Sequence, residues 1–346
     1  MKKVFFHPLD TNDPAAVSRA SKTVMEKLFG EVSPMTAEEF PLKVHFGEEG
    51  NKTFIPADCY NGIIDILKER GVNTSFIETN VLYSGRRMKK EDHIKLASEH
   101  GFTQIPVRIA DGDRGEYFSE VEIAGKRFKS CKIAGLIAAL KQMAVCSHFK
   151  GHMLAGFGGA VKQLAMGCAS RGGKLAQHAG SKPVIIKRKC VNCGLCAKNC
   201  PVSAIGKKDK HRINKDICIG CAACMAICPQ EAVQMDLVGA FSSVTRVFLE
   251  RLAEYAYAAA KDKNIYYINF ALNITRGCDC EKRPMKPFLP DLGILGSLDP
   301  VAVDHACITL LEKRARRRIF RGRHTLSHAE HIGLGKNVYD LITIGS

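Results

Sequence analysis

Apolar residues in the first 140 positions fall into two kinds of run. Short blocks such as Val4–Phe6 and Leu42–Phe46 have the length of strands, and Thr74–Glu78 and Val107–Ala110 repeat that pattern further along. Between them lie stretches with a helical period. In PADCYNGIIDILKERG, Ile63, Ile64, Ile66 and Leu67 share one face, with Pro56 at the start and Gly71 at the stop, so the spacing predicts a helix. Lys89–His100 predicts another, closed by Gly101. Glu116–Ile123 and Lys126–Lys132 flank an Ala-Gly turn and predict a hairpin. After an interruption the pattern resumes. Residues 240–261 read as a long amphipathic helix, Ile265–Ile274 as a strand, and Val301 to Arg317 as a helix that Asp299 caps with Pro300 at its first position. Strands alternating with helices at this spacing predict an α/β domain with a mainly parallel or mixed sheet.

The interruption is a cysteine repeat. Cys190-x-x-Cys193-x-x-Cys196-x-x-x-Cys200-Pro201 recurs 28 residues later as Cys218-x-x-Cys221-x-x-Cys224-x-x-x-Cys228-Pro229. A cubane cluster needs four thiolates converging from different directions: three come from one tight loop, and in two-cluster ferredoxins the fourth is the last cysteine of the other repeat. That rule assigns Cys190, Cys193, Cys196 and Cys228 to one [4Fe-4S] centre, and Cys218, Cys221, Cys224 and Cys200 to a second. Gly194 and Gly220 relieve crowding in the loops. Zinc knuckles are the alternative, but they use two well-separated cysteine pairs. The expected architecture is therefore one α/β domain, built from residues 1–180 and 237–346, interrupted by a small α+β bacterial-ferredoxin-like domain over 181–236.

Composition adds compartment and partner. With 46% apolar and 25% charged residues the chain has the balance of a globular protein, and no apolar run approaches the ~20 residues of a membrane span. The start, MKKVFFHPLD, is cut short by Pro8 and Asp10 and reads as a strand, not a signal peptide. Fifteen cysteines without an export signal point to metal binding in a reducing, cytoplasmic and anaerobic setting. The formal charge is +16, or roughly +12 once two thiolate-held clusters of about −2 each are added. Lys187, Arg188, Lys189, Lys198, Lys207, Lys208, Lys210 and His211 surround the cysteines. This excess suits an acidic electron donor or acceptor protein, or a small anionic substrate. Nucleic acid is a weaker fit: the basic run Lys313–Arg323 comes without a recognised nucleic-acid motif and reads as a solvated helix end.

Three further constellations carry candidate chemistry. From Ser147 to His178 the chain places Lys150, His152, Lys162, Arg171 and Lys174 among closely spaced glycines. Small residues let backbone N–H groups approach a ligand and the cations would neutralise it, so these five form a candidate anion or cofactor site. The alternative is a glycine-rich helical hairpin packed on the sheet. The segment GFGGAVK is not a Walker A loop, and no strong strand precedes it. Cys278-Asp279-Cys280 follows the strand ending at Ile274, where α/β folds bind ligands. With Cys168 it would hold a further metal or serve redox chemistry, against the ordinary reading of cysteine as a small buried residue. Asp304 and His305 are acid–base candidates, and His324, His328 and His331 share a helical face, as a metal site or as a plain polar face. The catalytic candidates are Cys278, Cys280, Asp304 and His152.

Together, SHFKGH, GAVKQLAMGCASRGGK, the paired cysteine repeats, CDC and DPVAVDHAC resemble the DUF362 family, in its form carrying an internal ferredoxin domain, from about residue 40 to AEHIGLG near the C-terminus. The resemblance implies a cytoplasmic iron–sulfur protein of anaerobic bacteria and archaea, and supplies no substrate. The leading expectation is a ferredoxin-dependent oxidoreductase whose clusters feed the α/β domain. The competing ones are a non-enzymatic electron-transfer subunit that docks a partner enzyme, and a redox-sensing nucleic-acid binder.

Overall fold

A computed structural model describes residues 1–83, 85–178, 182–200, 202–206, 212–218, 223–235 and 246–345. Its strands are β1 (Lys2–Pro8), β2 (Leu42–Lys43), β3 (Phe76–Glu78), β4 (Val107–Ile109), β5 (Phe118–Glu122), β6 (Ser130–Ala134), β7 (Gln142–His148), β8 (Lys150–His152), β9 (Gly156–Gly158), β10 (Pro183–Ile185), β11 (Val233–Met235), β12 (Asn264–Ala271), β13 (Gly293–Ser297) and β14 (Tyr339–Thr343). Eight of them form one sheet in the order β14-β1-β13-β12-β7-β2-β3-β4. Pairing is parallel except where β13 meets β1 and β12, so the sheet is mixed and mainly parallel.

Side-chain alternation makes this a three-layer structure. On β7 and β12, Met143, Val145, Ile265 and Tyr267 point to one face, where helices Ala160–Gly167, Arg246–Ala260 and Pro300–Ala315 cover them. Ala144, Cys146, Tyr266 and Ile268 point to the other, under helices Pro14–Glu31 and Asn61–Glu69. Both faces being covered, QMAVCSH has no polar face to alternate with. That is why the central strand β7 escapes a reading by alternation, although it lies just before the GFGGAVK segment.

Local signals explain most other elements. Helix Asn61–Glu69 follows a short turn of 3-10 helix, and Gly71 and Gly101 take positive φ just past their helices. Asp299 caps helix Pro300–Ala315 through the Val301 and Ala302 N–H groups and also receives the Lys336 N–H. The Leu42–Phe46 strand is shorter than expected: only Leu42 and Lys43 pair in the sheet before the chain turns toward the loop at Asp279, whose carbonyl accepts the Glu48 N–H. The expected hairpin forms as β5 and β6, with a wider connection than an Ala-Gly turn. Its backbone N–H groups at Arg127 and Phe128 donate to the buried Glu254 carboxylate.

In the cysteine segment β10 pairs antiparallel with β11, Pro183 opposite Met235, which sets the chain's entry beside its exit. The repeat is repeated in structure. Three residues after Cys200 and after Cys228 stand Ser203 and Glu231, both with left-handed φ, and each then directs the next N–H, of Ala204 or Ala232, onto the preceding cysteine Sγ at 3.2 Å. Cys221, Gly220, Pro201, Lys207, Lys208, Lys210, His211, the expected junctions at 181 and 236–237, and the first turn of the expected 240–261 helix lie outside the described residues.

Candidate functional site

The sheet order places the site. From β2 the chain moves outward through β3 to β4, then returns to the opposite side of β2 with β7 and continues to β12. Connections therefore diverge between β2 and β7, a topological switch point of the kind where open α/β sheets bind ligands beyond the strands' carboxyl ends. Lys43 ends β2, Glu78 ends β3 and His148 ends β7. The β8–β9 hairpin folds back over this edge. Gly151 donates its N–H to Thr275 O, and a Cβ there would lie 2.6 Å from Arg276 O, so only glycine permits the approach.

The hairpin delivers its basic residues to the Cys278-Asp279-Cys280 loop. Asp279 is fully buried. Its carboxylate accepts from Lys150 Nζ at 2.7 Å and from His148 Nδ1 at 3.0 Å, while His148 Nε2 donates to Leu272 O at 2.7 Å. Burial works against the Asp279 charge, yet His148 and Lys150 hold its carboxyl well below the usual range, and Asp279 in turn holds the buried Lys150 ammonium above its own. Next to them Lys162 Nζ donates to Cys278 Sγ at 4.0 Å. A hydrogen bond shared with the Cys280 thiol, opposed by burial and helped by Lys162 and His152, draws the Cys278 thiol well below its ordinary pKa, and the same bond and burial push Cys280 up.

A second buried network adjoins the first. Glu78 accepts from Lys43 Nζ at 2.7 Å and from Arg87 at 2.9 Å. Arg87 also meets His93 and His45, and its neighbour Tyr83 donates to Glu48 at 2.8 Å. Burial and the Arg87 charge push His45 down to about 3, so it is neutral at physiological pH. Lys43, His45, Glu48, Glu78, Arg87, His148 and Asp279 were not singled out in sequence. The available signals were a lysine inside the apolar run LKVHF and an acid between two cysteines.

The five residues of the expected anion site separate into two groups. Lys150, His152 and Lys162 converge at the Cys278 loop. Arg171 and Lys174 lie on helix Arg171–Gln177, where Lys174 Nζ donates to Thr79 Oγ1 at 2.6 Å and Asp111 lies nearby. Burial draws Lys174 down to about 8 and raises Asp111 to about 6. Arg171 is buried, with Nε and one terminal nitrogen lacking a hydrogen-bond partner among the described residues. This helix faces the cysteine segment: Leu175, with Leu82, packs in one apolar cluster with Cys196, Cys224, Met225 and Cys228, and Arg114, whose carbonyl accepts from Arg171, reaches Cys228 O.

Within that segment Cys190, Cys193, Cys196 and Cys228 line one small cavity of about 10 Å³, together with Gly194 and Ala232. Asn192 and Gly194 adopt left-handed φ in the wall formed by the first repeat. Lys187, Arg188, Lys189 and Lys198 are exposed around it. Among the described residues no three His, Cys, Asp or Glu side chains converge on a point suited to one metal ion.

Other candidates are placed elsewhere. Asp304 is not in the crevice: it anchors helix Ala160–Gly167, accepting the Ala160 and Val161 N–H groups at 2.7 and 2.9 Å and Asn269 Nδ2 at 2.7 Å. Cys168 is buried in the core, with Lys43 and Glu78 as its nearest charges and not the Cys278 loop. His324 and His328 each meet a glutamate of the adjacent helix, Glu250 and Glu254, at 3.2 Å. Lys313, Arg314, Arg316, Arg317 and Arg318 are exposed around the end of their helix, as a solvated run requires.

The profile of the family described as Domain of unknown function (DUF362) matches residues 41–309. The chain belongs to the DUF362 family. The DUF362 match spans both buried networks and the cysteine segment, and leaves β1, helix Pro14–Glu31 and β14 outside. No curated protein matches the chain. A structural-genomics crystal structure of a Thermotoga maritima protein is similar at a TM-score of 0.49 and 10% identity, covering 89% of this chain and 61% of that one. The lactate racemase apoprotein from Thermoanaerobacterium thermosaccharolyticum is similar at a TM-score of 0.40 and 14% identity, covering 79% of this chain and 51% of that one. The DUF362 chain thus spans under two thirds of either protein. Among its described residues no helix is long and apolar enough to cross a membrane.

Proposed function

We propose that this is a cytoplasmic iron–sulfur protein in which a two-[4Fe-4S] ferredoxin-like domain, inserted at 181–236, passes electrons to a reaction on a small anionic substrate or cofactor in the α/β domain. One observation carries the reading: the cavity lined by Cys190, Cys193, Cys196 and Cys228 joins three cysteines of the first repeat to the last of the second. That grouping supports the exchange of fourth ligands expected of two-cluster ferredoxins. The donor set fits the group, being four thiols around one void with a backbone N–H directed at the Cys228 sulfur. Cys218, Cys224 and Cys200 are the described members of the second set. Bound clusters supply one-electron transfer.

The chain's own residues do the rest. Lys187, Arg188, Lys189 and Lys198 attract an acidic redox partner to the exposed side of the cavity. Leu82 and Leu175 seat the domain against the sheet edge. Lys150, His152 and Lys162 supply cationic and hydrogen-bonding groups for an anion beside Cys278. Anaerobic purification is expected to return about eight irons per chain. Cys190→Ser and Cys228→Ser should abolish the same EPR signal of the reduced protein, and Cys200→Ser the other. Zinc in place of iron, or different signals lost from Cys190→Ser and Cys228→Ser, would overturn the proposal. The exposed Val191, Leu195, Ile217 and Ile227 favour a second reading, an electron-transfer subunit with a docked partner enzyme. Turnover by the isolated chain excludes it.

A further inference from the structure

We infer that Cys278 and Cys280 are a redox-active pair that cycles between dithiol and disulfide, and that the substrate class of the crevice is a disulfide. This deepens the proposed function and rests on it for the source of electrons. The two cysteines stand two residues apart in a segment outside helix and strand, and Lys162 Nζ reaches the sulfur of the first at 4.0 Å. The backbone around them is held. Glu281 Oε1 accepts the Cys278 N–H at 3.1 Å, Asp279 O accepts the Glu48 N–H, and the Asp279 carboxylate is pinned by Lys150 and His148. With the backbone so held, an S–S bond between the two sulfurs would close by side-chain rotation.

The surroundings divide the labour between the sulfurs. Lys162 Nζ lies 4.0 Å from Cys278 Sγ, and a cation beside the sulfur favours Cys278 as the attacking thiolate. Cys278 is itself buried; burial pushes the thiols of Cys59, Cys131, Cys146, Cys168 and Cys307 up, whereas at Cys278 a lysine ammonium donates to the sulfur.

Electron count also agrees. Opening the Cys278–Cys280 bond takes two electrons and two protons and yields two thiols; an external one-electron carrier would supply the electrons in two steps, which the proposed centres would relay. Cys278 thiolate then attacks a substrate disulfide, forming a mixed disulfide and releasing one substrate thiol. Cys280 attacks Cys278 Sγ, the second substrate thiol leaves, and the internal S–S bond is restored.

The test uses the full chain, purified anaerobically. It is exposed to oxidised or reduced glutathione, alkylated after denaturation, and its tryptic peptide 277–282, which contains both cysteines, is weighed. Oxidation should remove two hydrogens from this peptide and block alkylation, and a dithiol reductant should reverse both. Two freely alkylated cysteines after oxidation overturn the inference. In iron-replete protein, dithionite reduction of the centres should reopen the bond, whereas protein lacking a centre through Cys228→Ser should reopen it more slowly. A disulfide that persists beside reduced, iron-replete centres breaks the electron link while leaving the cluster reading intact. Protein without iron breaks the cluster reading, and the glutathione result still judges the pair. In the native reduced protein, Cys278 alkylation should be nearly flat from pH 6 to 8. Lys162→Met should slow it about tenfold at pH 7, and Lys162→Arg should restore it.

Discussion

Asp279 shows how one side chain organises the crevice. It is fully buried, and it accepts from Lys150 and His148 while Lys162 donates to the flanking Cys278 sulfur. Asp279→Asn keeps the shape and leaves the Lys150 ammonium buried without a counter-charge. Removing one partner of a buried pair costs about 3–5 kcal/mol, to be read from urea midpoints at pH 7. The sign of the pH dependence follows from the depressed carboxyl. Its stabilisation is complete above the unfolded value of about 3.9 and is lost as pH falls further. The gap between wild type and Asp279→Asn should therefore narrow below about pH 4.

At the scale of elements, helix Ala160–Gly167 starts on a carboxylate borrowed from helix Pro300–Ala315. Asp304 receives its first two N–H groups, and Gly159 leaves room for it: a Cβ there would lie 2.2 Å from Asp304 Oδ1. Asp304→Ala orphans both N–H groups and Asn269 Nδ2, for a loss of about 2–4 kcal/mol. Gly159→Ala displaces the same carboxylate by steric conflict and should cost about 1–3 kcal/mol. Because both changes destroy one cap, thermal or urea unfolding of the double variant should show a loss smaller than their sum. The acid–base reading of Asp304 came from its place in DPVAVDHAC. Its partners, Ala160 and Val161, are some 140 positions away, and no local pattern points to them.

For the molecule as a whole, the cysteine segment meets the α/β domain through the apolar cluster of Leu82 and Leu175, beside the Arg114 contact to Cys228 O. Leu175→Asp places a charge in it. Iron content should stay at the wild-type level while reduction of the Cys278–Cys280 disulfide by dithionite-reduced protein slows, measured by quenched alkylation. Unchanged reduction would mean that electrons travel by another route. The net charge of +16 also acts at this scale. Reduction by an acidic one-electron donor should slow steeply as ionic strength rises, since exposed charges are screened within about 10 Å at 0.1 M salt. Stopped-flow rates between low and moderate salt test this.

Sequence by itself determined what depends on neighbours along the chain: the strand–helix alternation, the Asp299-Pro300 helix start, the glycine stops at 71 and 101, and the grouping of cysteines by spacing. Each is a local rule of backbone geometry or residue spacing. Only the tertiary structure decided what depends on crossing the sheet. The return of β7 beside β2 creates the switch point, and the folded hairpin with the helix that follows it brings Lys150, His152 and Lys162 to the Cys278 loop but leaves Arg171 and Lys174 facing the cysteine segment. Buried charges such as Lys43, Glu78 and Asp279 are tolerable only because partners 35 to 131 positions away neutralise them, and such pairings leave no period in the sequence.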